Sequence, residues 1–315
     1  MSGSILVTSA TGAIGTRLLP LLLSSSPPTT TFVCPTSSPS RLATLASQNP
    51  NVKVEEGPIS DADFLERLCR AHTITKVFLN IGGNDEAFAA LNALDAFARA
   101  GTVKHIVHVS AHGDFTSAQG EAKVFQTHLA AHYLVKHTIE NVLSHGGFPF
   151  TWTVLGPTAF FDNDVRFGNT VETAFLALPY GSAGVSRVSA ADIALAGVKA
   201  LENKDGWLTG RKIPLGSLKT YSAVETAGIW SRALEREVGY RKDDEEGYRA
   251  LERDLEAKLG KAWGRDLALM YRSFLREGWA LSEGEYGFQR EVLGREAEDY
   301  GGWVAETVKG KRQGA

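Results

Sequence analysis

The sequence has little of what marks a secreted, membrane-spanning or nucleic-acid-binding protein. Its 315 residues include only two cysteines, Cys34 and Cys69, which excludes a disulfide framework and fits a reducing compartment. No apolar run approaches the roughly 20 residues that span a bilayer, and residues 18–23, interrupted by Pro20, make a poor secretory signal. The formal net charge of -3 gives no electrostatic argument for a nucleic acid or an anionic membrane as partner. We expect a cytoplasmic protein that binds neither; the sequence leaves its oligomeric state open.

Short apolar runs alternate with amphipathic segments along the first half of the chain. The runs predict strands at residues 5–7, 31–34, 51–57, 76–83, 104–111 and 149–157, and the segments predict helices at 13–23, 36–48, 60–71 and 85–101. Short connections between them imply right-handed crossovers and a doubly wound parallel sheet. Pro20 is expected to kink the first helix or end it early, and Ser60 is expected to cap the third.

The first strand runs into a turn of small residues, TSATGAIG (8–15), which opens the first helix. Glycines in such a turn let the backbone approach a pyrophosphate, and the helix offers unpaired amides and a positive dipole end. Ser9 stands where a first glycine belongs and lacks its freedom at positive φ, so we expect a slightly different turn whose hydroxyls donate to phosphate. The alternative is a tight turn without a ligand. The predicted pyrophosphate site comprises Thr8, Ser9, Thr11, Gly12, Ala13, Ile14 and Gly15.

Five motifs spread along nearly the whole chain match the pattern of one protein family. The turn resembles TGATGxxG, TSSPSR (36–41) resembles TRNPSK, and VKHIVHVSAHG (103–113) resembles vkhiVyiSs. FTWTVLGPTAFFDN (150–163) and SRVSAADIALAGVKAL (186–201) are the most specific matches, because unrelated nucleotide-binding folds lack them. The chain thus resembles the NmrA-like group of atypical short-chain dehydrogenases/reductases. The resemblance implies a dinucleotide-binding sheet domain and a substrate lobe. It implies no single activity, since the family includes NADPH-dependent reductases and cofactor-binding regulators without turnover.

The pattern changes after residue 220, where three long segments are mostly helical with one charged and one apolar face. We therefore predict an α/β fold, a Rossmann-like doubly wound parallel sheet with a smaller, mainly helical C-terminal lobe. The predicted NAD(P)-binding domain spans residues 1–155, with a strand and helix from 185–215. The predicted substrate-binding lobe comprises 156–184 and 216–315.

The residues after the second strand bear on the choice of cofactor. The family's arginine at this strand end is Ser37 here, and Arg41 lies four residues further on. No acidic residue stands there to bind a ribose 2′-hydroxyl, so we predict NADP(H) in preference to NAD(H). The alternative for Arg41 is a solvated helix residue. The groups predicted around the 2′-phosphate are Arg41 and the hydroxyls of Thr36, Ser37 and Ser38.

The stretch HYLVK (132–136) stands where the wider superfamily has Tyr-x-x-x-Lys. Tyr133 has the wrong spacing from Lys136, whereas His132 is four residues away and on the same helix face. The resemblance implies that Lys136 binds the cofactor ribose and that Ser110 orients the substrate. His132 is the candidate proton donor, and a cation alongside would favour its neutral imidazole. The alternative is a surface helix with an incidental His–Lys pair.

The substrate pocket is expected beyond the carboxyl ends of the strands. Further cofactor contacts are predicted there, at Asn80, Ile81, Gly82, Ser110, Lys136, Pro157, Thr158 and Phe160. An apolar wall in this pocket would suit an apolar or aromatic substrate. The helical spacing of Trp230, Met270 and Phe274 is, however, also typical of residues in the core. The wall residues are Phe160, Phe161, Trp230, Met270 and Phe274.

The motifs favour one reaction class and leave two others open. No metal site is expected, because His128 and His132 lack an HExxH pattern or a nearby cysteine. We predict an NADP(H)-dependent oxidoreductase acting on a small apolar carbonyl, imine or activated alkene. One alternative is a regulator that senses cofactor occupancy and docks a partner protein. The other is a redox-neutral isomerase or cyclase, for which the missing tyrosine leaves room.

Overall fold

The structure is a computed structural model that describes residues 3–83, 85–115, 117, 119–120, 122 and 130–313. The chain divides into two compact units. The first, here the sheet unit, comprises residues 1–111, 135–156 and 193–213; the second, here the helical unit, comprises 112–134, 157–192 and 214–315. The assignment of cofactor binding to one part of the chain and substrate binding to another stays a prediction.

The described elements follow the predicted alternation. The strands are β1 Ser4–Val7, β2 Thr31–Thr36, β3 Val52–Glu56, β4 Ile74–Leu79, β5 His105–Val109, β6 Thr151–Pro157, β7 Ala159–Phe160, β8 Phe175–Leu176, β9 Val185–Val188, β10 Arg211–Leu215, β11 Thr220–Tyr221 and β12 Gly239–Tyr240. The helices are α1 Gly15–Ser25, α2 Ala43–Gln48, α3 Ala62–Ala71, α4 Glu86–Ala100, α5 Ala131–His145, α6 Asn163–Gly168, α7 Thr170–Thr173, α8 Ala190–Glu202, α9 Ala223–Leu234, α10 Glu245–Leu259, α11 Lys261–Glu277, α12 Glu283–Leu293 and α13 Tyr300–Gln313. A 3-10 turn at Pro39–Leu42 precedes α2.

The sheet unit is built on a seven-stranded parallel sheet in the order β10-β6-β5-β4-β1-β2-β3. Ile5 of β1 lies opposite Phe32 of β2 on one side and Lys76 of β4 on the other. The strand order reverses between β1 and β4, which makes this the switch point where doubly wound sheets bind ligands. The predicted fold class is therefore confirmed.

Two local predictions in the sheet unit differ from the structure. Of the two effects predicted for Pro20, the early end is wrong, because helix α1 continues to Ser25, and the kink stays a prediction. The helix residues Leu18, Leu19 and Leu22 are buried, and this packing outweighs the hydrogen bond that a proline removes. The cap of α3 is Asp61, not Ser60: the Asp61 side chain accepts a hydrogen bond from the Phe64 amide.

The helical unit carries two small sheets, β11-β9-β7 and β12-β8, among its helices. Ser222 begins α9 and Ser282 begins α12, each with a reciprocal capping box to a glutamate three residues later. Cys34 and Cys69, in the sheet unit, are buried free thiols. Among the helices of the described ranges, none is both long and apolar enough to cross a membrane.

A buried ion pair lies in the interior of the helical unit. Asp164 and Arg187 are fully buried, and Arg187 Nη2 donates to Asp164 Oδ1 at 2.7 Å. The same carboxylate accepts hydrogen bonds from Tyr180, Trp230 and Tyr300. The guanidinium carbon lies 4.4 Å from the ring centroids of both tyrosines. Burial alone would lower the pKa of Arg187, but the facing carboxylate raises it above its usual range, so the guanidinium stays charged.

Candidate functional site

The turn after β1 adopts a conformation that the sequence argument excluded. Ser9 has φ 51°, in the left-handed region that favours glycine. Its Oγ donates to the carbonyl oxygen of Asn80 at 2.8 Å. Thr8 is fully buried; its Oγ1 donates to the Asn80 carbonyl at 3.0 Å and accepts from the Asn80 amide at 2.8 Å. The hydroxyls of Thr8 and Ser9 therefore fasten the turn to the residue after β4, and the donation of the turn hydroxyls to a phosphate stays a prediction.

Gly15 fixes the shape of the turn. A Cβ at this position would lie 2.4 Å from the Ser9 carbonyl oxygen and 2.7 Å from backbone atoms of Ala10. Gly12 is less restricted, because its Cβ would lie 3.2 Å from the same oxygen, to which the Gly12 amide donates at 2.9 Å. The amides of Thr16, Arg17 and Leu18 at the start of α1 already donate to the carbonyls of Gly12 and Ile14, at 2.8–3.0 Å, so an anion would meet the amides of the turn that precede them. The turn is thus a narrow backbone cradle at a positive helix end.

Two arginines lie beside this cradle. Arg41 Nη2 donates to the carbonyl of Thr11 at 3.4 Å, so the structure brings this predicted residue to the turn. Arg17 Nη1 donates to the carbonyl of Ala13 at 2.8 Å; the sequence argument missed it, although its place in the first turn of α1 was a usable signal. Nearby, Thr36 Oγ1 accepts from the Ser38 amide at 3.0 Å.

Lys136 lies at the carboxyl ends of β4 and β5 within the sheet unit. Its ammonium forms an ion pair with Glu86 and contacts the carbonyl oxygens of Ile81 at 3.4 Å and Val109 at 3.3 Å. The pair is largely buried, with side-chain exposures of 12% for Lys136 and 4% for Glu86. The three N–H donors of the lysine thus have three acceptors. Its ribose-binding role stays a prediction, and Glu86 is a partner that the sequence did not indicate.

Ser110 follows β5 and contacts a buried carboxyl group. Its Oγ donates to Oε1 of Glu140 on α5, and Lys212 Nζ of β10 donates to the same oxygen at 2.8 Å. Ser110 and Glu140 are buried, whereas the Lys212 side chain keeps 20% exposure. Burial raises the pKa of Glu140, while the charge of Lys212, the hydrogen bonds and the charge of Lys136 oppose the rise. Sequence reasoning found Ser110 and missed the other two members.

The two histidines of β5 are structural. Both were expected on the strand, and the bounds of β5 confirm it. Burial, with the charge of Lys76, lowers the pKa of His105 to about 4. Burial, with the charge of Lys136, lowers the pKa of His108 to about 3. Both rings are therefore neutral near pH 7.

His132, described here within the helical unit, has an anionic neighbour in place of the expected cation. Its Nδ1 contacts the carboxylate of Asp266, which also accepts hydrogen bonds from the amides of Ala131 and His132. Burial would raise the pKa of Asp266, but these hydrogen bonds and the charge of His132 lower it. The other ring nitrogen contacts Met270 Sδ at 3.3 Å. Both nitrogens are thus engaged, and the proton-donor role of His132 stays a prediction.

His112 begins the segment 112–115 of the helical unit and contacts other residues of that unit. Its Nε2 contacts Glu285 Oε1 at 3.0 Å, and its amide donates to the Pro157 carbonyl at 2.9 Å. The hydrogen bond with His112 lowers the pKa of Glu285 to about 2. Thr158 is buried and its amide donates to Leu215. The backbone groups of Pro157 and Thr158 are therefore committed to the fold.

Most of the predicted apolar wall is core. Phe161, Trp230 and Phe274 are at most 1% exposed and pack in two clusters of the helical unit. Met270 packs against one of these clusters and keeps partial exposure. These residues therefore form core, as the alternative had it, and the prediction that they line a substrate pocket is wrong for Phe161, Trp230 and Phe274. Of the two zinc candidates, His128 lies outside the described residues, within which no group of three metal-ligating side chains occurs.

Comparisons with known proteins place this geometry in context. The family model described as the NmrA-like family matches residues 1–274. The fold is similar to that of the NADPH-dependent quinone oxidoreductase of Escherichia coli complexed with NADPH, with TM-score 0.75 and 18% identity over 98% of this chain and 99% of that one. It is similar to the triphenylmethane reductase of a Citrobacter species complexed with NADP(H), with TM-score 0.75 and 18% identity over 96% and 99%. It is also similar to NmrA, a negative transcriptional regulator in complex with NADP, with TM-score 0.69 and 18% identity over 99% and 97%. Curated protein sequences provide no match.

Proposed function

Since the chain belongs to the NmrA-like family, we propose that it is an NADP(H)-dependent reductase acting on a small apolar carbonyl, imine or activated alkene. One observation carries the proposal. The backbone cradle closed by Gly15 lies at the same carboxyl edge of the sheet as Lys136 and Ser110, because the strands that precede these residues are parallel. A cofactor-binding turn and groups able to hold or move a proton therefore share one edge of the sheet unit.

The cradle fits a dinucleotide. A Cβ at Gly15 would fill the space between α1 and the turn, so only glycine keeps the helix amides this close to the Ser9–Ala10 backbone. The amides of Ala13, Ile14 and Gly15 would hold the pyrophosphate, and the guanidinium groups of Arg17 and Arg41 would meet a 2′-phosphate, which favours NADP(H) over NAD(H). When bound, this cofactor supplies a hydride to the substrate.

Lys136, on α5 beside the end of β5, would bind the cofactor ribose. Its contacts with the carbonyl oxygens of Ile81 and Val109 are long, at 3.4 and 3.3 Å, so a ribose hydroxyl would replace one of them at little cost. Glu86 holds the ammonium in place while this exchange occurs. Ser110 would present its hydroxyl to the substrate, as the resemblance to the family implies.

A cofactor-binding regulator without turnover is the second candidate. It is favoured by the engagement of both His132 ring nitrogens with Asp266 and Met270, which leaves the predicted donor without a free nitrogen. The structural likeness extends to a transcriptional regulator complexed with NADP. In this case the cradle would bind the cofactor, and the helical unit would dock a partner protein.

Calorimetry and a turnover assay separate the candidates. We expect NADPH to bind at least about tenfold more tightly than NADH, because each arginine–phosphate contact contributes about 1.5 kcal/mol or more. Arg41→Gln should reduce the ratio of the NADH and NADPH dissociation constants. Arg67→Gln, at an exposed site on α3, should leave that ratio unchanged. Loss of NADPH absorbance is then measured with a naphthoquinone, a triphenylmethane dye, a cyclic enone and a cyclic imine. Binding without turnover would favour the regulator, and absence of binding would exclude both candidates.

A further inference from the structure

The contacts of Ser110, Glu140 and Lys212 form a continuous path from solvent to the end of β5. Lys212 keeps 20% exposure of its side chain, while Glu140 and Ser110 are 3% and 5% exposed. Both neighbours of Glu140 meet the same carboxyl oxygen, Oε1. A proton placed on that oxygen by the ammonium is already in hydrogen-bond contact with the serine hydroxyl.

We propose that Lys212 and Glu140 relay a proton to Ser110, whose hydroxyl protonates the substrate as it is reduced. The inference rests on the proposed function and supplies the proton source that His132 does not offer. Ser110 touches the substrate and is therefore the catalytic residue. Glu140 and Lys212 act through it as positioning residues.

Each step of the relay balances. The substrate carbon receives the hydride, and its oxygen or nitrogen receives the Ser110 Oγ proton. The Glu140 carboxylate takes a proton from the Lys212 ammonium and passes it from Oε1 to Oγ, and the amine takes a proton from water, which leaves as hydroxide. The net change is one hydride and one proton added to the substrate, with all three side chains returned to their starting states.

The surroundings of Glu140 suit a group that changes protonation. Burial favours its neutral form, while the ammonium of Lys212, the Ser110 hydroxyl and the charge of Lys136 favour the carboxylate. The other groups on this side are Glu86, which pairs with Lys136, and His108, which stays neutral near pH 7. Opposing influences of this kind keep both protonation states accessible, as an acid–base group requires.

A simple structural ion pair between Glu140 and Lys212 would make different predictions. It would leave the pH profile of kcat unchanged in Glu140→Gln, whereas the relay would not. Ser110→Ala probes the contact that the relay requires, because Ser110 Oγ donates to Glu140 Oε1. Since the hydroxyl stabilises the carboxylate, its removal should raise the pH midpoint of Glu140 by at least about half a unit.

The first test is an infrared pH titration, which does not depend on turnover. The C=O stretch of the protonated carboxyl group is assigned to Glu140 by its loss in Glu140→Gln. We expect its midpoint to rise in Ser110→Ala and to rise further in Lys212→Met, which removes a charge. An unchanged midpoint in Ser110→Ala would overturn the relay, whatever the protein catalyses. Circular dichroism checks that each variant is folded.

The second test is the pH profile of kcat with NADPH and the naphthoquinone or enone that the wild type reduces, because each of these takes a proton with the hydride whereas a cationic dye takes the hydride alone. Glu140→Gln should lower kcat by about 10²-fold or more and remove one ionisation from the profile, whereas Glu140→Asp should restore part of both. Asp95→Asn, at an exposed site on α4, serves as the matched control. A wild-type kcat and profile in Glu140→Gln would overturn the relay and leave the reductase standing. A wild type that reduces none of the substrates would overturn both.

Discussion

Replacing Gly15 by alanine tests the cradle directly. The new Cβ would lie 2.4 Å from the Ser9 carbonyl oxygen, whereas ordinary van der Waals contact begins at 3.4 Å. The backbone of Ser9 and Ala10 must therefore move by about 1 Å, and strain of this kind costs about 1–3 kcal/mol. Alanine also favours a helix over glycine, by up to about 1 kcal/mol. The clash exceeds this gain, so we expect Gly15→Ala to lower the melting temperature.

The same displacement should weaken NADPH binding. Amides moved by about 1 Å from the pyrophosphate lose hydrogen bonds that need a separation of about 2.7–3.2 Å, so we expect at least a tenfold loss of affinity, about 1.4 kcal/mol. Thermal unfolding and calorimetry measure the two effects. Gly12→Ala, with its nearest contact at 3.2 Å, should show a small effect, and Gly287→Ala, on α12 with no atom within 4 Å, should leave NADPH binding unchanged. If Gly15→Ala melted at the wild-type temperature and bound NADPH within twofold, the reasoning would be refuted.

Two further predictions concern stability. Asp164→Asn leaves the Arg187 guanidinium buried without its counter-charge, so urea unfolding should show a loss of about 3–5 kcal/mol; a loss under about 1 kcal/mol would contradict the ion-pair assignment. The lowered pKa values of His105 and His108, about 4 and about 3 against 6.5, mean that the unfolded chain binds more protons below pH 6.5. Stability should therefore fall as the pH falls, by about 2 kcal/mol per histidine at pH 5. Urea unfolding at about pH 7.5 and about pH 5 should show a smaller difference in His108→Gln; an equal difference would falsify the assignment.

The strands of the sheet could be predicted because each leaves a local trace. A parallel strand covered on both faces needs mostly apolar side chains, and such runs occur in the sequence at residues 5–7 of β1, 77–79 of β4 and 106–107 of β5. The course of α1 could not be predicted from Pro20, because the residues that keep this helix intact pack against the sheet. Helix propensity predicts that Pro20 destabilises α1, but whether the helix continues past Pro20 depends on how its other residues pack.

In the turn after β1, too, the conformation of Ser9 depends on a contact that the sequence does not reveal. The sequence shows that Ser9 replaces a glycine and that serine adopts positive φ at a cost. It does not show that Asn80, 71 residues away, accepts the Ser9 hydroxyl and offsets that cost. That partner is known only once β1 and β4 are neighbours.

The residues of the candidate site also divide into those that the sequence indicated and those that it did not. Ser110 and Lys136 were predicted because their positions match motifs of the family that the chain resembles. Glu86 and Lys212 were missed because they reach the site from 50 residues away from Lys136 and 72 residues away from Glu140. Glu140 had a weak signal, since it lies one helical turn after Lys136 and so on the same face.

The two buried charge clusters of this chain differ in a way that bears on the choice between reductase and regulator. Asp164 and Arg187 are fully buried, and the carboxylate accepts hydrogen bonds from tyrosine and tryptophan side chains that are themselves buried. Such a pair fits a structural role. Glu140 is also buried, yet its oxygen joins a hydroxyl at a strand end to an ammonium that reaches solvent. Burying a carboxyl group costs several kcal/mol. A regulator that only binds NADP(H) has no proton to transfer, whereas the reduction of a neutral carbonyl or quinone adds one proton with each hydride.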